Sequence, residues 1–340
     1  MMILNNKKLT IKEVAEYAEV SQATVSRVLN DYKWVSPEVK NKVNRAIQEL
    51  NYVPDFNAKT MVKGKSHMVV VIVPVIDNHF FTQLINTIIS ELKINNYYTV
   101  IYTTESAEEE LDFLNSSFCQ MADGILDATS LEDIRLLYNI RKPLVLIDRF
   151  FSNNFKIDCV TSDNFKAMYR ATKYLIEKGH QRVGYITGIE GHGIFQERYR
   201  GFKAAFEDSG IIFPEEYYIK DVWKIDAGVR GCNKLLEMSN PPTAIIAGNN
   251  LLTYGVLEEL ERRKSNVSII GFEECDEDIR TFSRKEITCL QMNTEKIGKE
   301  AVSMLMNRIN NEVIRENANR VKSFELIFKE RKSVLDVTRY

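Results

Sequence analysis

The stretch Thr10–Asn30, TIKEVAEYAEVSQATVSRVLN, decides the reading of this chain. Thr10 followed by Glu13 is an S/T-x-x-E capping box, which opens a helix by satisfying its free N–H groups. Ile11, Val14, Ala15 and Ala18 then recur at i, i+3, i+4 and i+7 and give one apolar face. Ser21 is a second N-cap, with Val20 and Val25 at the N′ and N4 positions of a hydrophobic staple. Val25, Val28 and Leu29 bury this second helix as far as Asn30–Asp31. Two short helices joined by about three or four residues must cross steeply, which is the helix-turn-helix geometry.

Working outward, Ser36 and Pro37 start a third helix as N-cap and first helical residue. Its stripe of Val39, Val43, Ala46, Ile47 and Leu50 closes a three-helix core. A small bundle of no special function would bury the same residues. Against that reading, the exposed first turns of helix two carry Gln22, Ala23, Thr24, Ser26 and Arg27, short polar groups and one Arg suited to base edges and phosphates. Charge agrees with a DNA-facing head: residues 1–65 carry +4, whereas the rest of the chain carries −6.

The run Thr10–Asn30, with VSPEVKNKVNRAIQELNYVP at Val35–Pro54, closely resembles the lactose-repressor (LacI/GalR) family. The resemblance implies a DNA-binding headpiece over residues 1–53. It makes Gln22, Ala23 and Arg27 the recognition positions, within a DNA-facing set of Thr10, Ser21, Gln22, Ala23, Thr24, Ser26, Arg27 and Asn30. Arg27 is long enough to contact guanine O6/N7 bidentately, whereas Ala23 offers only a methyl. Residues 54–66 resemble the family's hinge helix and linker, which brings Asn57, Lys59 and Met61 to DNA; two copies would meet in the minor groove and wedge Met61 between bases. Asp55, Lys59 and Met61 depart from the family's usual Asn, Arg and Leu, and Glu19 stands where its turn usually has Gly or Asn.

Beyond the linker, eight strand-like runs (Met68–Ile76, Tyr98–Thr103, Gly124–Ala128, Leu144–Asp148, Val160–Asp163, Val183–Thr187, Ala244–Ala247 and Val267–Phe272) mostly alternate with helical patterns. Repeated βα units imply parallel sheets covered on both faces. Ligands bind beyond the carboxyl ends of such strands. Phe80, Phe81, Asp148, Arg149, Asp163, His192, Arg198, Trp223, Asn249, Asn250 and Glu273 follow the strand ends here. Rings that stack and planar polar groups suit a small polar ligand such as a sugar, although for each aromatic taken alone core packing is the better reading.

The resemblance continues through Asn78–Phe81, Ala122–Leu126, Pro143–Arg149, Gly179–Val183 and Arg198–Phe202. It implies a periplasmic-binding-protein-like sensor over 67–330 with two lobes, 67–163 plus 293–320 and 164–292 plus 321–330, followed by a tail at 331–340. It also implies a homodimer and effector positions Phe81, Asp163, His192, Arg198, Trp223 and Glu273. The family usually has Asp where Glu273 stands; the extra methylene would carry the carboxylate about 1–1.5 Å further into the cleft. His192 with Arg198 would also suit a sugar acid.

Several classes are disfavoured. Five cysteines in no metal or disulfide spacing suggest reduced thiols, and no apolar run reaches the roughly 18 residues of a membrane span. Gly184–Gly193 lacks a P-loop Lys-[ST], no G-x-S-x-G elbow occurs, and the four histidines show no i, i+4 pairing with carboxylates. The expectation is therefore a cytoplasmic, multidomain α plus α/β transcriptional regulator, a repressor in type, with no enzymatic activity, cofactor or metal. Its partners would be a pseudo-palindromic double-stranded DNA operator and a small-molecule effector. A solute-binding protein and an α/β enzyme are the rivals, and a phosphoprotein partner has no residue that points to it. Whether ligand releases or promotes DNA binding is open.

Overall fold

The computed structural model describes residues 9–30, 32, 34–53, 65–104, 106–149, 157–188, 193–272, 286–310 and 320–338. It divides into two compact units, Met1–Ser66 and His67–Tyr340.

The first unit holds three helices, α1 (Ile11–Tyr17), α2 (Gln22–Leu29) and α3 (Pro37–Glu49). Each start has the cap the sequence calls for. The Thr10 N–H donates to Glu13 Oε2 at 2.6 Å, Ser21 Oγ accepts from the Thr24 N–H at 3.1 Å, and Ser36 Oγ accepts from the Val39 N–H at 3.4 Å. Val14, Ala15, Ala18, Val25, Val28, Val43 and Ala46 form the buried core, with Val20 and Leu29 packed at its margin. Glu19 turns the chain from α1 into α2 at φ +55°. That is the left-handed region where Gly or Asn costs less, so the departure at Glu19 leaves the turn formed at a local strain cost.

The second unit contains two six-stranded sheets. The first has order β11-β5-β4-β3-β1-β2, from β1 (Met68–Val73), β2 (Tyr98–Thr103), β3 (Gly124–Asp127), β4 (Leu144–Ile147), β5 (Asp158–Ser162) and β11 (Val321–Phe324), all parallel. The second has order β12-β10-β9-β8-β6-β7, from β6 (Val183–Gly188), β7 (Tyr218–Asp221), β8 (Ala244–Ala247), β9 (Ser268–Phe272), β10 (Thr288–Gln291) and β12 (Ile327–Lys329). Only β12 runs antiparallel to its neighbour. The central strands are largely apolar and, apart from the half-buried Met68 at the start of β1, buried along their length, the pattern of sheets covered on both faces.

On the first sheet α4 (His79–Ile94) packs against α11 (Thr294–Asn310); on the second, α7 (Asn164–Glu177) packs against α8 (Gly193–Glu207), and α9 (Ile225–Leu236) against α10 (Asn250–Arg262). A Cβ on Gly255 would overlap the Ile225 carbonyl, so α9 and α10 meet backbone to backbone. Two shorter helices, α5 (Ala107–Asn115) and α6 (Ser117–Met121), precede β3.

Two boundaries differ from the sequence reading. Val321–Phe324 pairs with Cys159–Ser162 in the first sheet, so the chain returns to the second lobe only at about residue 325, not at 321. Residues 333–337 are fastened to the second lobe: Ser333 Oγ donates to the Ile269 carbonyl, His180 Nε2 lies 3.0 Å from the Leu335 carbonyl, and the Val337 N–H donates to the Lys178 carbonyl. The strands β10, β11 and β12 escape sequence reading because they are short and, unlike the equally short β3, β4 and β8, interleave polar with apolar residues or have only three residues.

Candidate functional site

In the first unit the amino end of α2 stands exposed. Gln22, Ala23 and Arg27 all face solvent, and Thr24 and Ser26 are half-buried beside them. The Thr24 hydroxyl lies 2.8 Å from Ser21 Oγ, which fixes both on the cap. Arg27 makes no salt bridge among the described residues, so its guanidinium is not engaged with a carboxylate there. Thr10, also exposed, donates its hydroxyl to Glu13 at 3.1 Å. Asn30 differs from the expectation for a DNA-facing residue. It is the C-cap of α2, its amide donates back to the Ser26 carbonyl at 2.8 Å, and its Oδ1 is buried. Asn57, Lys59 and Met61 lie outside the described residues.

In the second unit a cleft of about 280 Å³ opens between the carboxyl ends of the two sheets. That is close to the lower bound of about 300 Å³ for small-molecule sites. Its lining includes Phe80, Phe81, Asp148, Arg149, Arg198, Trp223, Asn249 and Asn250, so the structure brings together most of the residues read from strand ends. Phe80 and Phe81 open α4, nearly buried and edge-to-face with centroids 5.0 Å apart.

Asp148 ends β4 at φ +50°, a costly conformation for a side-chain-bearing residue and one that tends to mark functional sites. It is 6 % exposed, and its Oδ1 has no hydrogen-bond partner among the described residues. Burial raises its carboxyl above the ordinary range, against the opposing pull of Arg149 and Arg198. Arg149 spends its guanidinium on backbone, donating to the carbonyls of Asp148 and Ala128 at 2.8 Å and to that of Thr129.

Arg198 is held from three sides. Nε donates to Asn164 Oδ1 at 2.7 Å, Nη1 donates to the Gly248 carbonyl at 2.7 Å, and the guanidinium lies 3.9 Å from the centroid of the Phe272 ring. Trp223 stacks on Phe195 with centroids 4.0 Å apart. A Cβ on Gly188 would overlap the Trp223 ring, so the glycine ending β6 makes room for it. Asn249 caps α10 by accepting from the Leu252 N–H at 2.8 Å.

Asp163 departs from the expected role. Its carboxylate accepts from the Lys166 N–H as the N-cap of α7, and it does not line the cleft. The neighbouring Asn164, buried and bonded to Arg198, is the residue sequence reasoning missed, because its contact spans 34 positions. Phe195 was also missed, although its place one turn before Arg198 on α8 was a usable signal. His192 and Glu273 lie outside the described residues. Among the described residues no cluster of His, Cys, Asp and Glu is placed to hold a metal ion, and no helix is long and apolar enough to cross a membrane.

Two family models cover this arrangement: bacterial regulatory proteins of the lacI family over residues 10–55, and periplasmic binding proteins and sugar binding domain of the LacI family over residues 66–329. The chain belongs to the LacI family. Among its relatives, the HTH-type transcriptional repressor CytR of Escherichia coli (strain K12) is 29% identical, covering 94% of this chain and 95% of CytR. Catabolite control protein A of Priestia megaterium is 30% identical, covering 90% of this chain and 94% of its own length. The lac repressor dimer bound to operator and the anti-inducer ONPF shares the fold with a TM-score of 0.83 at 20% identity, covering 97% of this chain and 100% of that one. These LacI-family relatives are transcriptional regulators, and this chain is a DNA-binding transcriptional regulator of the same family.

Proposed function

We propose that two copies of the chain bind a pseudo-palindromic duplex, with one α2 in each of two successive major grooves about 34–36 Å apart. Gln22, Ala23 and Arg27 read base edges, while Thr10, Ser21, Thr24 and Ser26 meet the backbone. Asn57, Lys59 and Met61 supply the minor-groove contact. The observation that carries this reading is Arg27, exposed at the accessible face of a capped helix with no carboxylate to neutralise it among the described residues.

The cleft is proposed to take a sugar or sugar derivative. Phe80, Phe81, Phe195 and Trp223 offer apolar faces to ring carbons, and Asp148 Oδ1, without a hydrogen-bond partner among the described residues, accepts from a ligand hydroxyl. Ligand binding shifts the balance between two arrangements of the lobes and, through it, operator affinity. A coupling of about 1–3 kcal/mol corresponds to roughly 5- to 150-fold. The test is selection of duplexes from a random pool by the full-length protein. Enrichment of inverted half-sites centred about one helical turn apart supports the reading, and enrichment of no sequence overturns it.

A further inference from the structure

A second cavity, of about 230 Å³, lies at the opposite edge of the first sheet from the ligand cleft. The amino ends of β4 and β5 form it through Pro143, Leu144, Ile157 and Asp158, and the last turn of α11 contributes Arg308. Leu137 and Ile140 make its wall apolar, with Tyr138, Arg141 and Lys142 at the rim.

Among the described residues Asp158 is the one carboxylate in its lining, and both its oxygens are taken. It accepts from Arg308 Nε at 3.0 Å and Nη2 at 2.7 Å, and from the Arg320 N–H at 3.0 Å and Nη2 at 2.9 Å. Burial pushes its carboxyl up, but the Arg308 and Arg320 hydrogen bonds outweigh this and hold it below the ordinary range, so it stays an anion. Arg141 and Lys142, at the rim, have no salt bridge among the described residues. Arg320 Nε is buried with no hydrogen-bond partner among the described residues. Two cations with no salt bridge among the described residues, over low-dielectric walls, focus a positive potential at the mouth.

We propose that this cavity binds a small phosphate monoester, its dianion between Arg141 and Lys142 and its apolar body against Leu137, Ile140, Leu144 and Ile157. The pairing follows from chemistry: Arg offers a planar fork and Lys a point charge, both suited to phosphate oxygens. The volume equals about eight waters at roughly 30 Å³ each, enough for a phosphate and one six-membered ring. The site lies at the far edge of the sheet from the sugar cleft, so it offers the regulator a second chemical input.

Calorimetric titration of the full-length protein at low ionic strength with phenyl phosphate and with inorganic phosphate tests the proposal. Phenyl phosphate should saturate one site per chain and bind at least about fivefold tighter than inorganic phosphate. Its Kd should rise at least about tenfold in an Arg141→Ala/Lys142→Ala double variant and stay unchanged in Arg198→Ala. Both rim side chains lie outside the Asp158 cluster, and an unaltered thermal midpoint verifies that the double variant is folded. No saturable binding, binding that survives the double variant, binding lost in Arg198→Ala, or equal affinity for the two phosphates overturns the assignment. A duplex arm separates the other source of phosphate: if the double variant loses DNA affinity and neither protein binds phenyl phosphate, these cations serve the DNA backbone instead.

Discussion

Asn78 and Asn250 join the two lobes across the ligand cleft, each amide nitrogen donating to the other's carbonyl oxygen at 3.3 Å. Asn78 caps α4 of the first lobe by accepting from the Phe80 N–H, and Asn250 opens α10 of the second, accepting in turn from the Leu251 N–H. The pair therefore ties together two helix starts that border the ligand site. A neutral hydrogen bond contributes about 0.5–1.5 kcal/mol net, so the pair biases the lobe equilibrium without locking it. Asn250→Ala should weaken ligand binding about 2- to 10-fold by releasing the two helix starts that border the cleft. Calorimetry with the ligand checks this, and an unchanged Kd would show that the lobes are held by other contacts.

Arg27→Ala should reduce affinity for the selected duplex by about 1–3 kcal/mol while leaving ligand affinity intact. Competition between that duplex and random DNA at one salt concentration is the measurement. Equal loss on both would make Arg27 a phosphate contact.

Arg198→Ala should abolish the ligand response and spare DNA binding, since it removes the cation fixed between Asn164 and the Gly248 carbonyl. Asn164→Ala should weaken the response less, because the Gly248 bond and the Phe272 face still hold the guanidinium. Operator titrations with and without ligand rank the two. A full response from Arg198→Ala would remove that residue from the effector site.

Asp127 is fully buried beside the Glu110 carboxylate. Burial first, then the Glu110 charge, pushes its carboxyl well above the ordinary range. Unfolded, it titrates near 3.9. Above that pH the unfolded chain sheds a proton that the folded chain keeps, so this residue costs stability progressively as pH rises towards its folded pKa. Asp127→Asn should therefore stabilise the protein at pH 7, with the gain vanishing near pH 4. Urea unfolding between pH 4 and pH 8 reads the difference; a loss of stability at pH 7 would contradict it.

How much was legible follows from how local each signal is. The headpiece was readable because caps act within three residues: Thr10 with Glu13, Ser21 with Thr24 and Ser36 with Val39 all formed. Asn30 also closes α2, because a helix-ending amide can bond to its own last turn, and sequence reading gave no sign of that second role. In the sensor, buried strands announced themselves by unbroken apolar runs, whereas β11, reading Val321–Lys322–Ser323–Phe324 and largely exposed, has no such mark. Strand ends located the cleft, but Asp163 sits one residue past β5, where the chain already turns into α7, and the helix start took its carboxylate. The Asp158–Arg308–Arg320 cluster spans 162 positions and left no trace in spacing.

The central claim is that occupancy of the cleft changes how tightly the headpiece holds DNA. Fluorescence anisotropy of the selected duplex, titrated with full-length protein with and without a sugar found by thermal-shift screening, tests it most directly. The account predicts isotherms displaced about 5- to 150-fold, with the displacement lost in Arg198→Ala. Superimposable isotherms at saturating ligand would contradict it.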